Sequence, residues 1–285
     1  MNKIDTYNDL LLNRLSIYLN DYSDAIDENM VTNLSIGANL SKKDAYKYLL
    51  AINLGLEIDD KDRELFNLYF DELVTELDPS KYLNNPYNKD IIIEDIKDDK
   101  WSFKYQTYKP YELFVYNDME EYKDGRIIPK LGYFKEEYKY LSVLEDNREW
   151  MLITPNEIET MERVINDSKG RVLTYGLGLG YFAYMVSLKE EVETVTIVEK
   201  DNKVIELFNK YILPKFKNKD KITIINADAL VHIKNDKEDY DIVFIDIWHD
   251  VSDGLPLYLE FKKYEKKNTK YYYWIEKTMK CYLKD

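Results

Sequence analysis

Only one cysteine, Cys281, occurs in 285 residues. An internal disulfide is therefore excluded, and a reducing, cytoplasmic setting is expected. Long apolar runs are also missing, so no transmembrane helix and no membrane association are expected. Met1–Asn13 is charged and polar before its leucines, unlike a secretory signal. Positive charge is in deficit: 40 Lys and Arg against 54 Asp and Glu leave a net charge of −14. That argues against non-specific nucleic-acid binding, which needs a basic surface. It favours cationic small-molecule substrates, although acidity also serves solubility. What is abundant is tyrosine, 27 residues, read as a composition bias with many rings half-buried.

The length allows a substantial core and two domains. Three stretches differ in character. Residues 1–85 read as a helical N-terminal unit, with apolar residues at helical spacing in Thr6–Leu19, a Ser41–Asp44 capping box, and a third helix from about Asp60. Its functional reading is a substrate lid or homodimer surface; the plainer one is a packed accessory domain. Residues 86–153 read as a small antiparallel β domain, with strands at Ile91–Ile93, Trp101–Tyr105 and Tyr111–Tyr116, a turn at Asp124-Gly125, and a hairpin from Tyr138 to Ile153. Residues 154–285 open with a helix over Glu157–Ile165, capped by Thr154 with Glu157 three residues on. They then alternate strand and helix: strands at Val172–Tyr175, Val195–Glu199, Ile222–Asn226, Ile242–Asp246 and Tyr271–Ile275, helices at Tyr181–Leu188, Asn202–Leu213, Ala229–Lys234 and Pro256–Lys266. Near-continuous apolar strands separated by helices predict an α/β fold: a Rossmann-like domain with a mostly parallel sheet covered on both faces.

In such a sheet, ligands bind beyond the carboxyl ends of the strands. The first strand ends in Gly176, Gly178 and Gly180, which let the backbone turn tightly and approach a ligand. The second ends in Glu199, 19 residues after Gly180, where a carboxylate can accept both hydroxyls of a ribose. The third ends at Asn226-Ala227-Asp228, and Asp228 could receive the amine of an adenine or merely cap the next helix. The fourth ends in Asp246, beside Trp248. Three acids at consecutive strand ends behind a glycine turn point to a bound adenosine-type cofactor. NAD fits poorly, because Tyr181 fills the third place of the G-x-G-x-x-G/A fingerprint. S-adenosylmethionine (SAM) fits better, with its methionine part over the glycines, its ribose on Glu199 and its adenine by Asp228.

The segments V-L-T-Y-G-L-G-L-G-Y, V-T-I-V-E-K-D, N-A-D-A-L and Y-D-I-V-F-I-D, in that order, resemble successive motifs of the class I SAM-dependent methyltransferase superfamily. The resemblance covers about residues 150–260 and points to the spermidine synthase-like branch, through Val198–Asp201, Val204–Glu206 and Tyr211–Pro214. It implies SAM or its decarboxylated form as cofactor. Three positions depart from the pattern. Thr174 stands where many methyltransferases have an acid, Leu179 where aminopropyltransferases have an Asp, and His249 where those enzymes repeat an Asp after Asp246.

Asp246 and Trp248 are expected to line the reaction centre as catalytic residues: Asp246 as a general base, or holding the cofactor or a substrate amine, and Trp248 as a cofactor-side aromatic, its plainer reading being core. A metal site from Asp246, His249, Asp250 and Asp253 is not expected, since nothing fixes the ligand spacing. His232 reads as a surface histidine, and Cys281 has no partner that would make it a nucleophile. The expected function is methyl transfer from SAM to a small-molecule or peptide-borne nucleophile. The alternatives are aminopropyl transfer from decarboxylated SAM and a silent nucleoside-binding module.

Overall fold

The structure is a computed structural model that describes residues 2–283. The chain begins with α1 (Lys3–Asp21), α2 (Glu28–Ala38), α3 (Lys42–Asn53), α4 (Arg63–Leu73) and β1 (Val74–Glu76). Two short helices follow, α5 (Pro79–Leu83) and α6 (Pro86–Asp90), then β2 (Ile96–Asp98), β3 (Trp101–Tyr108) and β4 (Phe114–Glu121). Next come β5 (Ile127–Tyr133), β6 (Tyr138–Glu145), β7 (Arg148–Leu152), α7 (Pro155–Asp167), β8 (Gly170–Tyr175) and α8 (Tyr181–Ser187). The remainder is β9 (Val192–Glu199), α9 (Asn202–Leu207), β10 (Ile222–Asn226), α10 (Ala229–Asn235), β11 (Ile242–Ile245), α11 (Val251–Phe261), β12 (Lys270–Tyr273) and α12 (Glu276–Tyr282). Among the described residues no helix is long and apolar enough to cross a membrane. The chain divides into two compact units, one of residues up to Lys81 with Gln106–Tyr140, the other of Tyr82–Tyr105 with Leu141–Leu283.

The first unit packs α1–α4 on a three-stranded sheet of order β1-β5-β4. Helix α1 starts in a reciprocal capping box between Asn2 and Asp5 and buries Leu11, Leu15 and Tyr18 along one stripe. Helix α2, absent from the sequence reading, is capped by Asp27 and ended by Asn39 in the left-handed region (φ 53°). The helical reading of this stretch also needs a strand. β-Branched Val74 and Thr75 leave α4 and pair in parallel with Leu131 and Gly132 of β5. Buried Asn8 is fully used: it accepts from the Tyr69 hydroxyl (2.7 Å) and the Ile127 N–H (3.0 Å) and donates to the Gly125 carbonyl (2.9 Å). Tyr46 stacks on Tyr133 at 3.9 Å and donates to the Tyr111 carbonyl. Tyrosine is therefore a core residue here: Tyr46, Tyr69, Tyr111 and Tyr133 are almost wholly buried, not half-buried.

The second unit is built on a five-stranded, all-parallel sheet of order β10-β9-β8-β11-β12. All four residues of β11 are buried, as are Val172–Tyr175 of β8, so both faces of the central strands are covered. The strand order reverses at β8, which lies between β9 and β11, and that places a crevice at the carboxyl ends of β8 and β11. β2 and β3 pair antiparallel, as do β6 and β7, in a second sheet of order β2-β3-β6-β7. Ile91–Ile93, expected as a strand, is irregular chain after α6.

Two helices differ from expectation. α9 ends at Leu207, and Phe208–Ile212 continues as a π-helical turn before a 3₁₀ turn at Leu213–Lys215. Pro214 supplies no N–H to continue an α-helix, and the widened turn seats Phe208 against the glycine turn. α11 starts at Val251, not Pro256, because Asp250 and Asp253 form a capping box five residues earlier.

Candidate active site

The glycine turn joins β8 to α8. Gly176, Gly178 and Gly180 have φ of 96°, 50° and 74°, a region that other residues avoid. Their surroundings are as demanding. A Cβ on Gly176 would lie 1.8 Å from the Asp246 carbonyl oxygen, one on Gly178 1.9 Å from the Met151 methyl, and one on Gly180 2.4 Å from the Phe208 ring. The protein's own packing thus accounts for all three glycines. Gly176 lets the ends of β8 and β11 close together, with the Asp246 N–H donating to the Tyr175 carbonyl (2.9 Å).

Glu199 ends β9 and is nearly buried. Its Oε2 accepts from the Leu177 N–H of the glycine turn (3.2 Å) and its Oε1 from the Asp201 N–H (2.8 Å). Each oxygen keeps a further lone pair, so a ligand diol could bond the same carboxylate. Asp228 is exposed and caps α10, accepting from the Val231 N–H (2.9 Å). Asn226 holds the ends of the strands, donating to the Glu199 and Lys200 carbonyls, both at 3.0 Å.

A small cavity opens beside this turn. Its walls are largely apolar, with Met151, Met161, Leu177, Phe182 and Phe244 among them, and they carry two carboxyl groups, Asp246 and Glu157. Both residues keep some exposed surface, but their carboxyls are packed among protein atoms. Burial pushes the Asp246 carboxyl up to about 7. Burial, and then the charge of Asp246, push Glu157 well above the usual carboxylate range. Neither carboxyl has a basic partner among the described residues. At neutral pH the two titrate as a pair that retains a proton.

Glu157 escapes the sequence reading, which makes it the partner of a Thr154 cap. Thr154 makes no side-chain cap bond. Glu157 stands four residues before Met161 and seven before Val164, on the stripe that α7 buries. A carboxylate on an apolar stripe was the available signal.

Trp248 is not among the cavity's lining residues. It is buried, lies parallel to Tyr273 at 6.4 Å, and is covered closely by Gly254. It takes the core role of its two readings. His249 is exposed and pairs with Asp253 at 3.3 Å, while Asp250 and Asp253 are spent on the cap of α11. No metal-ligating group of three or more side chains occurs among the described residues. His232 is not a free surface group; its Nδ1 lies 3.1 Å from the Tyr175 hydroxyl.

The turn is also held from a part of the chain that carries none of the motifs. Tyr87 of α6, wholly buried, donates to the Leu179 carbonyl, and Asn85 donates to the Tyr181 hydroxyl at 3.0 Å. Beside them, Asp90 accepts from the Tyr184 hydroxyl (2.5 Å) and the Lys217 ammonium (2.6 Å).

Residues 157–268 match the family model of the spermine/spermidine synthase domain, the branch that the motifs resemble. No curated protein matches the chain. Among solved structures it is similar to spermidine synthase from Thermotoga maritima, at 18% identity over 58% of this chain and 51% of that one, with a TM-score of 0.33. A spermidine synthase in complex with the transition-state analogue AdoDATO gives 19%, 55%, 46% and 0.33 in the same order. Precorrin 8w decarboxylase from Methanobacterium thermoautotrophicum gives 15%, 42%, 62% and 0.33. The chain thus spans from 46% to 62% of the length of these structures.

Proposed function

We propose that the chain, whose residues 157–268 match the spermine/spermidine synthase domain, is a transferase that takes SAM and moves its methyl group to a small-molecule or peptide-borne nucleophile. The observation that carries this reading is the cavity where the glycine turn meets Asp246, at the point where the strand order reverses. The donor set fits an adenosyl ligand. Glu199 has free lone pairs for a ribose, and Asp228 stands at the next strand end. When bound, SAM supplies an electrophilic methyl on a positively charged sulfur. The chain's part is to hold the acceptor in line with that methyl. Asp246 orients the acceptor's N–H or O–H and takes its proton; a carboxylate raised to about 7 suits proton transfer at neutral pH.

Aminopropyl transfer from decarboxylated SAM is the second reading, supported by the family model that residues 157–268 match. Against it stands Leu179, 1% exposed, at the position where the aminopropyltransferases that the sequence resembles carry an Asp. Incubation with each donor and a panel of amines, followed by mass spectrometry, separates the readings. S-adenosylhomocysteine as the product supports methyl transfer, and methylthioadenosine supports aminopropyl transfer. Binding without either product overturns both and leaves a nucleoside-binding module.

A further inference from the structure

Glu157 stands in the first turn of α7, where Thr154 makes no cap bond, and it lines a cavity that already contains one carboxyl. Two such groups sharing a small apolar-walled space without a basic partner repel each other once both are charged. In the free protein they meet this by keeping a proton, and an entering cation would meet it instead. Among the described residues, the elements around the cavity supply no other group for that part. β7 contributes Met151, β8 Thr174, the turn Gly176 and Leu177, and β11 Phe244. α8 contributes the one other titratable group, Tyr181, whose hydroxyl is engaged by Asn85. On α7 itself, Glu159 is bonded to the Tyr82 hydroxyl, and Glu162 adds only further negative charge. Beyond β11, His249 pairs with Asp253, and across the turn Glu199 is bonded to backbone N–H groups.

We propose that Glu157 and Asp246, which line the same cavity, together form its cation-recognition site and take an organic cation, sulfonium or ammonium. The inference rests on the reading of the cavity as an adenosyl-ligand site and deepens it. Binding of a charged ligand is then coupled to proton release, and an uncharged ligand has no such coupling. Where the sulfonium is the cation read, the site prefers the charged donor to its thioether product, which favours product departure without any change in fold. Two cations of an adenosyl ligand could be the one read, the sulfonium of the donor or the ammonium of its amino-acid tail, and both meet the same chemistry.

Titration calorimetry at pH 7 in two buffers of different ionisation enthalpy measures the protons released. The ligands are SAM, S-adenosylhomocysteine and methylthioadenosine. SAM should release roughly one proton and methylthioadenosine none. Equal release with S-adenosylhomocysteine identifies the ammonium as the cation read, and release with SAM alone identifies the sulfonium; either supports the proposal. Glu157→Gln and Asp246→Asn should each reduce the release, and the double variant should abolish it. Binding of SAM with no buffer-dependent heat, or release unchanged in Glu157→Gln, overturns the proposal while leaving the adenosyl site intact. Failure of all three ligands to bind removes the adenosyl reading itself, and this inference with it. Circular dichroism of the variants separates loss of fold from loss of coupling.

Discussion

The phenol of Tyr87 donates to the carbonyl of Leu179 across 2.5 Å, 92 residues further along the chain, with the Tyr87 ring wholly buried. Leu179 lies inside the glycine turn, so a short helix far from that turn in sequence fixes the turn's backbone. Burial holds the Tyr87 hydroxyl well above its usual pKa, which keeps it a donor at any working pH. Tyr87→Phe keeps the ring and leaves the Leu179 carbonyl without that partner, at a cost of about 1–3 kcal/mol. The expected outcome is a lower melting temperature together with weaker SAM binding. A stability loss with unchanged affinity would mean that the turn keeps its shape without this bond.

Glu199 serves the backbone around it and a candidate ribose with one carboxylate. Its carboxylate bonds two backbone N–H groups, from Leu177 and Asp201, and it keeps lone pairs for a ribose. Glu199→Ala should lose about 2–4 kcal/mol of SAM binding if the ribose assignment holds, and should also lower stability through the two abandoned N–H groups. Asp228 calls for a different substitution. Asp228→Ser preserves a helix cap while removing the charge. Affinity unchanged in Asp228→Ser, measured by calorimetry, would make Asp228 a cap and nothing more.

The parallel sheet was legible because its strands are short apolar runs ended by turn residues. Asp246 was legible because the fourth strand of such a sheet lies next to the first, as β11 lies next to β8. Tyr87 was not legible: its partner is a backbone carbonyl, which no residue type announces. Glu157 was read as a capping residue because T-x-x-E before an apolar run has that local meaning. A buried cavity outweighed it, and only the position of Glu157 on the stripe of Met161 and Val164 could have told the two apart. Trp248, expected at the reaction centre, lies in the core against Tyr273 and Gly254, since an aromatic two residues past a strand end can pack there as readily as line a cavity.

The buried carboxyl pair makes stability depend on pH in a window of its own. Burial raises Asp246 from 3.8 to about 7, and burial together with the charge of Asp246 raises Glu157 well above the usual carboxylate range. The unfolded chain releases these protons near its ordinary carboxylate values, while the folded chain keeps them. Stability therefore falls as pH rises from about 4 towards 7, at about 1.4 kcal/mol for each pKa unit of difference. Thermal melts at pH 5 and pH 8 should show a smaller difference in Asp246→Asn and in Glu157→Gln than in the native chain. The two gains should add to less than their sum, because either substitution relieves the repulsion. Identical pH differences in all three proteins would place both carboxyls in contact with solvent.

Asp246 is the residue on which the proposed chemistry depends most, and its two roles make opposite demands. As part of a cation site it contributes to donor binding; as a base it acts only while the new bond forms. Stabilising the sulfonium's charge cannot speed transfer, since that charge disperses on the way to the transition state. Orientation of the acceptor and removal of its proton are what remain, and Asp246→Asn keeps the shape while removing both the charge and the basicity. Because Glu157 stays beside it and can keep a negative charge, donor affinity should change by less than roughly tenfold. Turnover should fall by about a hundredfold or more, the usual scale for loss of a general base. Trp248→Phe supplies the control from outside the cavity: it should lower stability and leave the ratio of turnover to affinity alone. Single-turnover rates paired with calorimetry decide between the roles. Equal losses of rate and binding in Asp246→Asn would make it a ligand of the donor and return the search for the base to Glu157.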